Sequence, residues 1–467
     1  MTQKPTRRSF LKSTLPAAAL LAGCRSTPTS PPQSTTPPNI LFLLTDDHRW
    51  DALSCMGNPI LRTPNIDRLA STGTTFDNMF VTTSICCASR ASIFTGQYAR
   101  RTGIHEFNVP FTPAALAQTY PQILRRAGYR IGFVGKYGVG DNSPPPAGQF
   151  DFWRGFTGQG QYFPDKSNPS LHLTDLMTSQ ANEFLQSASP SQPFCLSISY
   201  KAPHCQDGDP RQFLYAPRYE SLYSGQTIPT PLTATDEFFQ KQPDFIRNSE
   251  SRNRWKIRFS NPDVYQKMVK AYYRLLVGVD DSVAALLKTL ADRNLIDNTI
   301  IFFTGDNGFY LGEHGLAGKW FMHEESIRVP LIIHDPRLPQ NLHARRCSDM
   351  ALNIDLAPTI LSLAGLTPPP QMQGRPLTPL LQSQSPSWRT DFFYEHLFKH
   401  SIIPKTEGVR TTRYSYWQYL NVDHDAHWLF DLATDPHQTQ NLAADPYHQP
   451  LVQNLQSRLT HYRQSLL

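Results

Sequence analysis

The sequence predicts an α/β protein, with a mostly parallel central sheet sandwiched by helices and a smaller C-terminal α+β subdomain. Two observations indicate this architecture. Short apolar runs without polar alternation, which suit strands buried on both faces, alternate with longer stretches of helical periodicity. The chain also has 467 residues, which is enough for a large core and for more than one packed unit.

The larger domain is predicted to cover residues 38–375, and its first strand, Ile40–Leu44, stops at acidic residues. The further predicted strands are Arg130–Val134, Phe194–Ser199, Thr299–Thr304 and Pro330–His334. The predicted helices are Asn65–Thr72, Ala114–Ala127, Thr174–Ser187, Pro262–Arg293 and Asp355–Ala364. Because ligands gather at the carboxyl ends of parallel strands, we expect a functional site at that edge of the sheet.

The C-terminal subdomain is predicted to cover residues 376–467. Its first residues lie within the proline-rich stretch Pro368–Pro386. A terminal helix is expected from about Pro446. The predicted short strands are Phe392–Tyr394, Glu407–Arg410, Tyr414–Leu420 and Leu429–Leu432.

The N-terminus is typical of an export signal. Arg7–Lys12 carries paired arginines that point to the twin-arginine route, and the apolar stretch Leu15–Leu21 is too short to span a membrane. Leu21–Cys24 resembles a bacterial lipobox, so residues 1–24 are predicted to form a lipoprotein signal in which Cys24 is acylated. Residues 25–37 are rich in Ser, Thr and Pro and are predicted to be a disordered tether. The protein is therefore expected to be an exported bacterial lipoprotein, held by its lipid anchor at the periplasmic face or outer membrane; the alternative is an ordinary cleaved signal with an incidental cysteine.

Composition excludes other classes of function. The formal net charge of +6 includes four basic residues of the predicted signal, so the remaining chain is nearly balanced. No basic run suggests a nucleic-acid partner. The chain has seven cysteines, too few to form a disulfide framework once Cys24 and Cys86 are assigned other roles.

One segment carries a specific chemical signature. The run Cys86-Cys87-Ala88-Ser89-Arg90-Ala91-Ser92-Ile93-Phe94-Thr95-Gly96 closely resembles the signature Cys-x-(Pro/Ala)-Ser-Arg-x-x-x-x-Thr-Gly of the type I sulfatases. The resemblance implies an alkaline phosphatase-like fold and a sulfuric ester hydrolase in which a maturase oxidises Cys86 to Cα-formylglycine. In that family the hydrated aldehyde attacks sulfur, and the resulting intermediate expels sulfate by collapsing back to the aldehyde. The alternative is an ordinary cysteine pair before a helix, with Ser89 as N-cap.

The resemblance extends to the C-terminal end of the chain. The family typically ends with Leu-(Tyr/Phe)-Asp-Leu-x-x-Asp-Pro-x-x-x-x-Asn-Leu, and Leu429 through Asp435-Pro436 to Asn441-Leu442 matches this pattern. The similarity therefore covers roughly residues 38–445.

Two acidic motifs predict a metal site. Asp46 and Asp47 follow the first predicted strand, and Asp306 and Asn307 follow Thr299–Thr304, so parallel neighbours would bring their oxygens to one edge. Carboxylate and amide oxygens suit a hard cation. The resemblance implies that these four residues hold Ca²⁺, occasionally Mg²⁺, together with an oxygen of the modified residue 86. The alternative is that Asp47 caps a helix and that the second motif is only a turn.

Several basic residues match family positions. Arg90 is four residues after Cys86 and thus on the same face of a following helix; the resemblance implies that it orients the diol and the metal ligands. Lys136 in Gly135–Gly140 and Lys319 in Gly318-Lys319-Trp320 match the sulfate-binding lysines. His204 in Tyr200–His204 matches the histidine proposed to donate a proton to the leaving alcohol.

The chain departs from the family pattern at two positions. Gly138 stands where the family usually has a histidine that helps to break down the sulfated intermediate. We therefore expect a burst of alcohol before a slower steady rate, and a gain in that rate for Gly138→His if the loop tolerates it. Candidates to replace the missing group are His105, His314 and His323. Ala88 replaces the commoner proline, a pattern associated with radical-type maturases.

The substrate is predicted to be a sulfated carbohydrate. Asn142–Gln161 and Tyr394–Arg410 look like segments of bacterial carbohydrate sulfatases, which favours a glycan over a small aryl sulfate. The aromatic residues that could stack on a sugar, or simply pack in the core, are Trp153, Tyr162, Phe163 and Trp417. The alternative functions are a phosphomonoester or phosphonate hydrolase of the same superfamily, and a non-catalytic glycan-binding lipoprotein.

Overall fold

The computed structural model describes residues 37–165, 167–384, 387–422 and 426–466. These residues pack as one compact unit. The predicted export signal with Cys24, and the predicted tether up to residue 36, lie outside the described residues. Within the described ranges, no helix combines the length and the apolar character needed to cross a membrane.

The strands are numbered in chain order along the described residues. They are β1 Asn39–Asp46, β2 Thr74–Phe76, β3 Met79–Phe80, β4 Arg130–Lys136, β5 Phe152–Phe156, β6 Phe194–Pro203, β7 Thr299–Gly305, β8 Tyr310–Leu311, β9 Ala317–Gly318, β10 Leu331–His334, β11 Arg345–Cys347, β12 Ala351–Leu352, β13 Asp391–His396, β14 Lys405–Thr411, β15 Tyr414–Leu420 and β16 His427–Asp431.

The α-helices are numbered in the same way. They are α1 Pro64–Ala70, α2 Cys86–Thr95, α3 Ala99–Thr102, α4 Pro113–Ala117, α5 Tyr120–Arg126, α6 Leu173–Gln186, α7 Asp236–Gln240, α8 Asp244–Arg247, α9 Glu250–Arg258, α10 Pro262–Asp292, α11 Glu324–Ile327, α12 Leu356–Leu363, α13 Thr378–Leu381 and α14 Gln449–Ser465.

The central sheet has the strand order β11-β2-β10-β7-β1-β6-β4-β5. From β7 to β5 every neighbouring pair is parallel, whereas β10 runs antiparallel to both β7 and β2. The prediction of a mostly parallel central sheet is confirmed. Each of the five predicted strands of the larger domain is present, and β1, β4, β6 and β7 extend further towards the carboxyl edge than predicted.

The first strand shows why an unbroken apolar run forms the centre of this sheet. All eight residues of β1 are buried. Ile40, Phe42 and Leu44 face one hydrophobic core, and Leu41 and Leu43 face a second core on the opposite side. Because side chains alternate across a strand, both faces must be apolar when both are covered.

Helices cover both faces of the sheet. Helices α6 and α10 contribute to the core that contains Leu41, and α2, α5 and α12 contribute to the core that contains Phe42. The single helix predicted over Ala114–Ala127 is instead two helices, α4 and α5. Pro121, in the first turn of α5, has no N–H to donate to the preceding turn, so the chain starts a new helix there.

The C-terminal strands form a four-stranded antiparallel sheet in the order β13-β14-β15-β16, followed by the terminal helix α14. This sheet belongs to the same hydrophobic core as the central sheet: the rings of Phe80 and Phe392 lie 5.1 Å apart. The predicted small C-terminal α+β subdomain is thus present as a layer of the compact unit. Its boundary at residues 375 and 376 stays a prediction.

Candidate active site

The predicted site residues meet at the carboxyl edge of four adjacent strands. Asp46 ends β1, Lys136 ends β4, His204 follows β6 and Asp306 follows β7. Because the sheet order is β7-β1-β6-β4, these four residues come from neighbouring strands. The sequence expectation that polar motifs converge at this edge is therefore correct.

Helix α2 brings the predicted cysteine to the same place. It begins at Cys86, so Ser89 lies inside the helix and is not its N-cap. The Cys86 thiol is fully buried, and its Sγ lies 3.3 Å from Asp46 Oδ1 and 3.1 Å from Lys319 Nζ. Burial, together with the charge of Asp46, raises the pKa of the thiol well above its ordinary value. Unmodified, Cys86 is therefore a neutral and poor nucleophile.

Arg90 joins the two acidic motifs from one turn further along α2. Its Nε donates to Asp306 Oδ2 at 2.8 Å, and its Nη2 lies 3.3 Å from Asp46 Oδ2. The guanidinium also donates to the carbonyl of Lys136 and to the hydroxyl of Ser199. Nε and Nη1 thus make three hydrogen bonds inside the protein, and Nη2 makes an ion-pair contact without a hydrogen bond, so this arginine is fixed beside both carboxylates.

Two lysines complete the cationic part of the cluster. Lys136 Nζ donates to Asp46 Oδ2 at 2.5 Å, and Lys319 Nζ donates to Asp47 Oδ1. Lys319 reaches the site because it directly follows β9 of the short β8–β9 hairpin. Both ammonium groups are buried beside Cys86, where a low local dielectric strengthens their attraction for an anion.

The same cluster fits a divalent cation. Among the described residues, one ligand atom from each of Asp46, Asp47, Cys86 and His204 lies within 4.8 Å of the others. Asn307 donates from Nδ2 to Asp47 Oδ1 at 2.7 Å, while its buried Oδ1 has no hydrogen-bond partner. An unpaired amide oxygen beside two carboxylates is a donor set that hard cations prefer.

Both carboxylate oxygens of Asp306 accept hydrogen bonds from the protein. Its Oδ1 accepts from the Asp47 N–H at 3.1 Å, and its Oδ2 accepts from Arg90. Burial and the charge of Asp46 raise the pKa of Asp306 to about 6. For Asp46, burial would also raise the pKa, but the charges of Lys136 and Arg90 outweigh it and hold the pKa well below its usual range. A bound cation would relieve the repulsion between these two carboxylates.

His204 faces the cluster with one ring nitrogen. Its Nδ1 lies 2.6 Å from the Cys205 carbonyl oxygen, so Nδ1 carries the hydrogen and Nε2 points to Asp47 Oδ2 at 3.5 Å. Tyr162 fixes the backbone here by donating to the His204 carbonyl at 2.5 Å. Burial lowers the pKa of His204 to about 3, although Asp47 and Asp46 act in the opposite direction.

A cavity of about 230 Å³ opens over Asp47, His204 and Lys319. Its wall includes Gln159, which accepts a hydrogen bond from Lys136 Nζ at 2.7 Å. The rim combines aromatic and charged side chains: Phe107, Trp320 and Phe398 with Asp207, Arg254 and His400. Arg254 Nη1 lies 2.5 Å from Asp207 Oδ1, so the rim is an ion pair flanked by rings.

The aromatic residues predicted to stack on a sugar do not line this cavity. Trp153 stacks on Phe133 at 5.0 Å, Tyr162 stacks on His172 at 5.1 Å, and Trp417 is fully buried. Phe163 also packs against His172, at 5.4 Å. These rings serve core packing, and the rim aromatics come from other parts of the chain.

None of the three histidines proposed to replace the missing one lines the cavity, among the residues that the structure describes. His314 and His323 stack on each other at 4.4 Å in a separate cluster against the C-terminal sheet. His105 lies beyond Cys87, whose thiol points to the His105 carbonyl.

The backbone at Gly138 excludes the side chain that the family usually carries there. Gly138 has φ +71°, and a Cβ at this position would lie 2.7 Å from Arg90 Cδ. Arg90 therefore occupies the adjacent space. The gain in rate for Gly138→His was expected only if the loop tolerates the side chain, and this geometry does not meet that condition; the expected burst of alcohol stays a prediction.

Sequence reasoning missed several residues that support the site. Asn353 donates to Ser89 Oγ at 3.0 Å, and Ser89 donates to the Asp306 carbonyl at 2.5 Å. Tyr272 donates to the Asp47 carbonyl at 2.8 Å. The sequence holds no local signal for these contacts, because each partner is more than 200 positions away.

A buried cluster of carboxylates, lysines and an arginine around one residue, at the edge of a doubly covered parallel sheet, is suited to bind and polarise an oxyanion. Comparison with known proteins specifies the class. Residues 38–366 match the family described as Sulfatase, and residues 312–465 match the C-terminal region of N-sulphoglucosamine sulphohydrolase. The chain belongs to the sulfatase family and is a sulfuric ester hydrolase with an alkaline phosphatase-like fold.

Three known proteins illustrate what this chain is similar to in sequence or in structure. It is 30% identical to the N-acetylglucosamine-6-O-sulfatase of Bacteroides thetaiotaomicron, with 92% of this chain and 86% of the relative covered. The solved structure of BT4656 in complex with its substrate D-glucosamine-2-N,6-O-disulfate has a TM-score of 0.78 at 26% identity, covering 92% and 98% of the two chains. The phosphonate monoester hydrolase of Silicibacter pomeroyi also has a TM-score of 0.78, but at 21% identity, covering 92% and 96%, so that likeness shows the fold alone.

Proposed function

We propose that this protein removes sulfate from a sugar unit of a sulfated glycan, using a formylglycine made from Cys86 and a divalent cation. The observation that carries the proposal is the convergence of Cys86 with Asp46, Asp47, Lys136 and Lys319 in one buried cluster. A maturase would supply the oxidation of Cys86, and Ala88 favours one of the radical type.

The cation would be Ca²⁺, with Mg²⁺ as the alternative. Asp46, Asp47, Asp306 and Asn307 would hold it together with residue 86, and the unpartnered Asn307 Oδ1 supports this assignment. When bound, such a cation stabilises negative charge on the sulfate and on the nucleophilic oxygen.

The lysines would bind the sulfate group. Lys136 ends β4 and Lys319 follows β9, and both ammonium groups are buried, so both cations already lie beside the position that a sulfate would take. In this structure their partners are Asp46 and Asp47. Arg90 contacts Asp46 and Asp306, so the Asp46 carboxylate would keep its place when Lys136 turns to the substrate.

His204 would donate a proton to the leaving alcohol. Its neutral imidazole already uses Nδ1 for the Cys205 carbonyl, so Nε2 is the nitrogen that can face a substrate oxygen. Burial lowers the pKa of His204, and an anionic group that enters the cavity beside it would favour the second proton.

The rim supports a carbohydrate substrate. An ion pair of Asp207 and Arg254 offers both acceptors and donors for hydroxyl groups, and Phe107 and Phe398 offer apolar faces for a pyranose ring. A small aryl sulfate without hydroxyl groups would form no hydrogen bond with this ion pair. The names of two relatives, an N-acetylglucosamine-6-O-sulfatase and a protein bound to a glucosamine disulfate, point to a sulfated amino sugar.

We also infer from the N-terminal sequence that the enzyme works outside the cytoplasm, anchored through Cys24 to a membrane facing the periplasm. The twin-arginine route exports folded proteins, so maturation of Cys86 would precede export. Radioactive palmitate incorporation into the wild type, and its absence in Cys24→Ala, would test the anchor.

The decisive experiment combines mass analysis with sulfate release. Protein coexpressed with a maturase should show a modified residue 86, and should release inorganic sulfate from N-acetylglucosamine 6-sulfate. Cys86→Ala should lower this activity at least about 1,000-fold without unfolding the chain, while the neighbouring Cys87→Ala should keep it. An unmodified thiol in active protein, or an active Cys86→Ala variant, would overturn the proposed chemistry.

The same assay separates sulfate from phosphate hydrolysis. A sulfate ester, a phosphate ester and a phosphonate ester of one alcohol are compared with the matured enzyme. Higher kcat/KM for the sulfate ester is expected, since the family is that of sulfatases. A preference for the phosphonate would instead favour the alternative function.

A further inference from the structure

The cavity over His204 and Lys319 has two ends of different chemistry. Its inner end is formed by Asp47, His204 and Lys319, whose side chains are at most 8% exposed. The reacting sulfate would lie there, beside residue 86. The remaining charged or titratable side chains of the described lining make up the outer end: Asp207, Glu250, Arg254, Arg258 and His400.

Asp207 is the most exposed of the ion-paired groups at the outer end. Its side chain is 46% exposed, against 26% for Arg254, 23% for Glu250 and 1% for Arg258. Among these groups, the one most accessible to a substrate is therefore a carboxylate.

One carboxylate oxygen of Asp207 is occupied by the protein and the other is free. Arg254 Nη1 donates to Oδ1 at 2.5 Å and Arg258 Nη2 donates to it at 2.8 Å, and Cys205 Sγ lies 3.5 Å from the same oxygen. Among the residues that the structure describes, none donates a hydrogen bond to Oδ2. Because nearly half of this side chain is exposed, Oδ2 can accept a hydrogen bond from a ligand.

The two arginines keep Asp207 ionised without giving the outer end a net positive charge. Burial alone would raise the pKa of Asp207, but the hydrogen bond from Arg254 and the charges of Arg254 and Arg258 outweigh it and lower the pKa. Arg254 Nε donates to Glu250 Oε1 at 2.7 Å. Two carboxylates thus offset two guanidinium groups, and an anion gains no net attraction at this end.

Two donors remain beside the free oxygen. Arg254 Nη2 has no hydrogen-bond partner among the described residues. His400 Nδ1 accepts from the Ile402 N–H at 3.3 Å, which leaves Nε2–H as the donor of a neutral ring. A hydroxyl or an acetamido group both donates and accepts, so it can pair with Asp207 and with one of these donors. A sulfate could pair only with the donors and would lie beside an ionised carboxylate.

The two ends lie within reach of one sugar unit. The Cys205 thiol lies 3.9 Å from His204 Nδ1 and 3.5 Å from Asp207 Oδ1, so a single side chain separates them. A sugar whose sulfate lies beside Lys319 therefore extends past His204 towards Asp207.

We infer that Asp207 is a specificity-determining residue, which accepts a hydrogen bond from a hydroxyl or acetamido group of the sugar and disfavours a second sulfate on the same sugar unit. This inference rests on the proposed function. Like-charge repulsion combined with an unpaired acceptor is an effective way to reject a closely related substrate. The preferred sugar unit then carries a single sulfate.

The test compares N-acetylglucosamine 6-sulfate with three glucosamine 6-sulfates that carry a second sulfate at N2, O3 or O4. Release of the 6-sulfate by matured protein gives kcat/KM. Calorimetry with the Cys86→Ala protein, which does not hydrolyse the sugars, gives the dissociation constants.

Two variants isolate the charge of Asp207. Asp207→Asn keeps the shape of the side chain and an oxygen for the two arginines, but removes the negative charge. Asp209→Asn is the matched control. It removes the same charge two residues away, from a carboxylate that pairs with Arg211 and does not line the cavity.

We expect kcat/KM to be at least about tenfold lower for one or more of the disulfated sugars than for the monosulfated sugar. Asp207→Asn should reduce this difference about tenfold, mainly through KM, because it removes the repulsion. Asp209→Asn should leave the difference as in the wild type. The dissociation constants should follow the same order.

Equal kcat/KM for all four sugars, or a difference that Asp207→Asn leaves unchanged, would overturn the inference and leave the proposed function intact. If no sugar is hydrolysed, the proposed function fails, and the dissociation constants alone decide on Asp207. Discrimination in binding that is lost only in Asp207→Asn would then support its role, whereas equal affinities or absence of binding would refute it.

Discussion

At the scale of single residues, Gly138 shows how the site accommodates a departure from its family. Gly138 has a positive φ, and a Cβ at this position would lie 2.7 Å from Arg90 Cδ. The site therefore has no room for a side chain here. Arg90 cannot move away easily, because Asp306 and the Lys136 carbonyl hold its guanidinium. Arg90 can therefore occupy its position only while residue 138 is a glycine.

We predict that both Gly138→Ala and Gly138→His lower kcat/KM about tenfold or more, because either side chain displaces Arg90 from the carboxylates. Strain and overpacking should also cost about 1–3 kcal/mol of stability. Gly148→Ala is the matched control, since a Cβ there meets nothing within 4 Å. A Gly138→His variant that turns over faster than the wild type would contradict this prediction. Steady-state kinetics and thermal unfolding provide the measurements.

The metal assignment gives a second prediction at this scale. Asp306→Asn keeps the shape of the side chain but removes a charge from the predicted ligand set. We expect lower bound Ca²⁺ by elemental analysis and a loss of the Ca²⁺-dependent rise in melting temperature. A cation present at a hundred times its dissociation constant stabilises the native state by about 2.7 kcal/mol.

The control for the metal prediction is Asp335→Asn. Asp335 is a buried carboxylate that pairs with Arg337 outside the cluster. This variant should keep its bound Ca²⁺, and chelation should lower its melting temperature as in the wild type. Full metal content in Asp306→Asn would show that Asp306 is not a ligand.

Residues within short motifs were predictable, and residues that support them were not. Cys86 and Arg90 lie four positions apart in a signature, and the helix places them on one face as predicted. Asn353 and Tyr272 contribute equally close contacts from distant helical segments, where an isolated Asn or Tyr carries no pattern. The sequence left open whether Trp153, Tyr162, Phe163 and Trp417 stack on a sugar or pack in the core, because ring packing depends on tertiary neighbours.

At the scale of elements, helix α1 is capped by a residue of another helix. The Thr63 side chain makes no capping bond, and the N–H groups of Asn65 and Ile66 donate instead to Asp280 of α10, at 3.0 and 2.8 Å to Oδ1. Asn65 Nδ2 adds a bond of 2.8 Å to the same carboxylate. The carboxylate thus satisfies helix N-terminal donors that would otherwise be unpaired.

We predict that Asp280→Ala lowers the free energy of unfolding by about 2–3 kcal/mol, because it removes several hydrogen bonds to one charged group. Denaturant unfolding followed by circular dichroism measures this change. The matched control is Asp292→Ala on the same helix, whose exposed pair with Lys288 should contribute less than about 0.5 kcal/mol. Equal effects of the two changes would show that the cap is unimportant.

Sequence patterns located the long strands and helices more accurately than the short strands between them. Long buried strands and amphipathic helices such as α6 and α10 were located to within a few residues. Short strands such as β3, β8 and β9 were missed, because two residues show no period. The hairpin β8–β9 matters nonetheless, since it delivers Lys319 to the site.

At the scale of the whole molecule, one arginine ties the C-terminal sheet to the catalytic part. Arg100 of α3 pairs with Glu395 of β13 at 2.9 Å and with Glu407 of β14 at 2.6 Å. Its guanidinium also lies 4.4 Å from the centroid of the Phe393 ring. The loop after β13 then carries Phe398 to the rim of the cavity, so the C-terminal sheet is part of the substrate site.

The last prediction tests whether these layers unfold together. Arg100→Met keeps much of the apolar stem but leaves Glu395, which is fully buried, without its counter-charge. Burial already raises the pKa of Glu395 against the effect of Arg100, so removal of the arginine should cost about 3–5 kcal/mol. Arg101→Met is the matched control, because the Arg101 side chain is exposed and should contribute less than about 0.5 kcal/mol.

In denaturant, we expect one cooperative transition for the wild type and for Arg100→Met, at a clearly lower denaturant concentration for Arg100→Met. Two separate transitions in the wild type would instead mean that residues 376–467 fold as an independent subdomain, as the sequence boundary suggests.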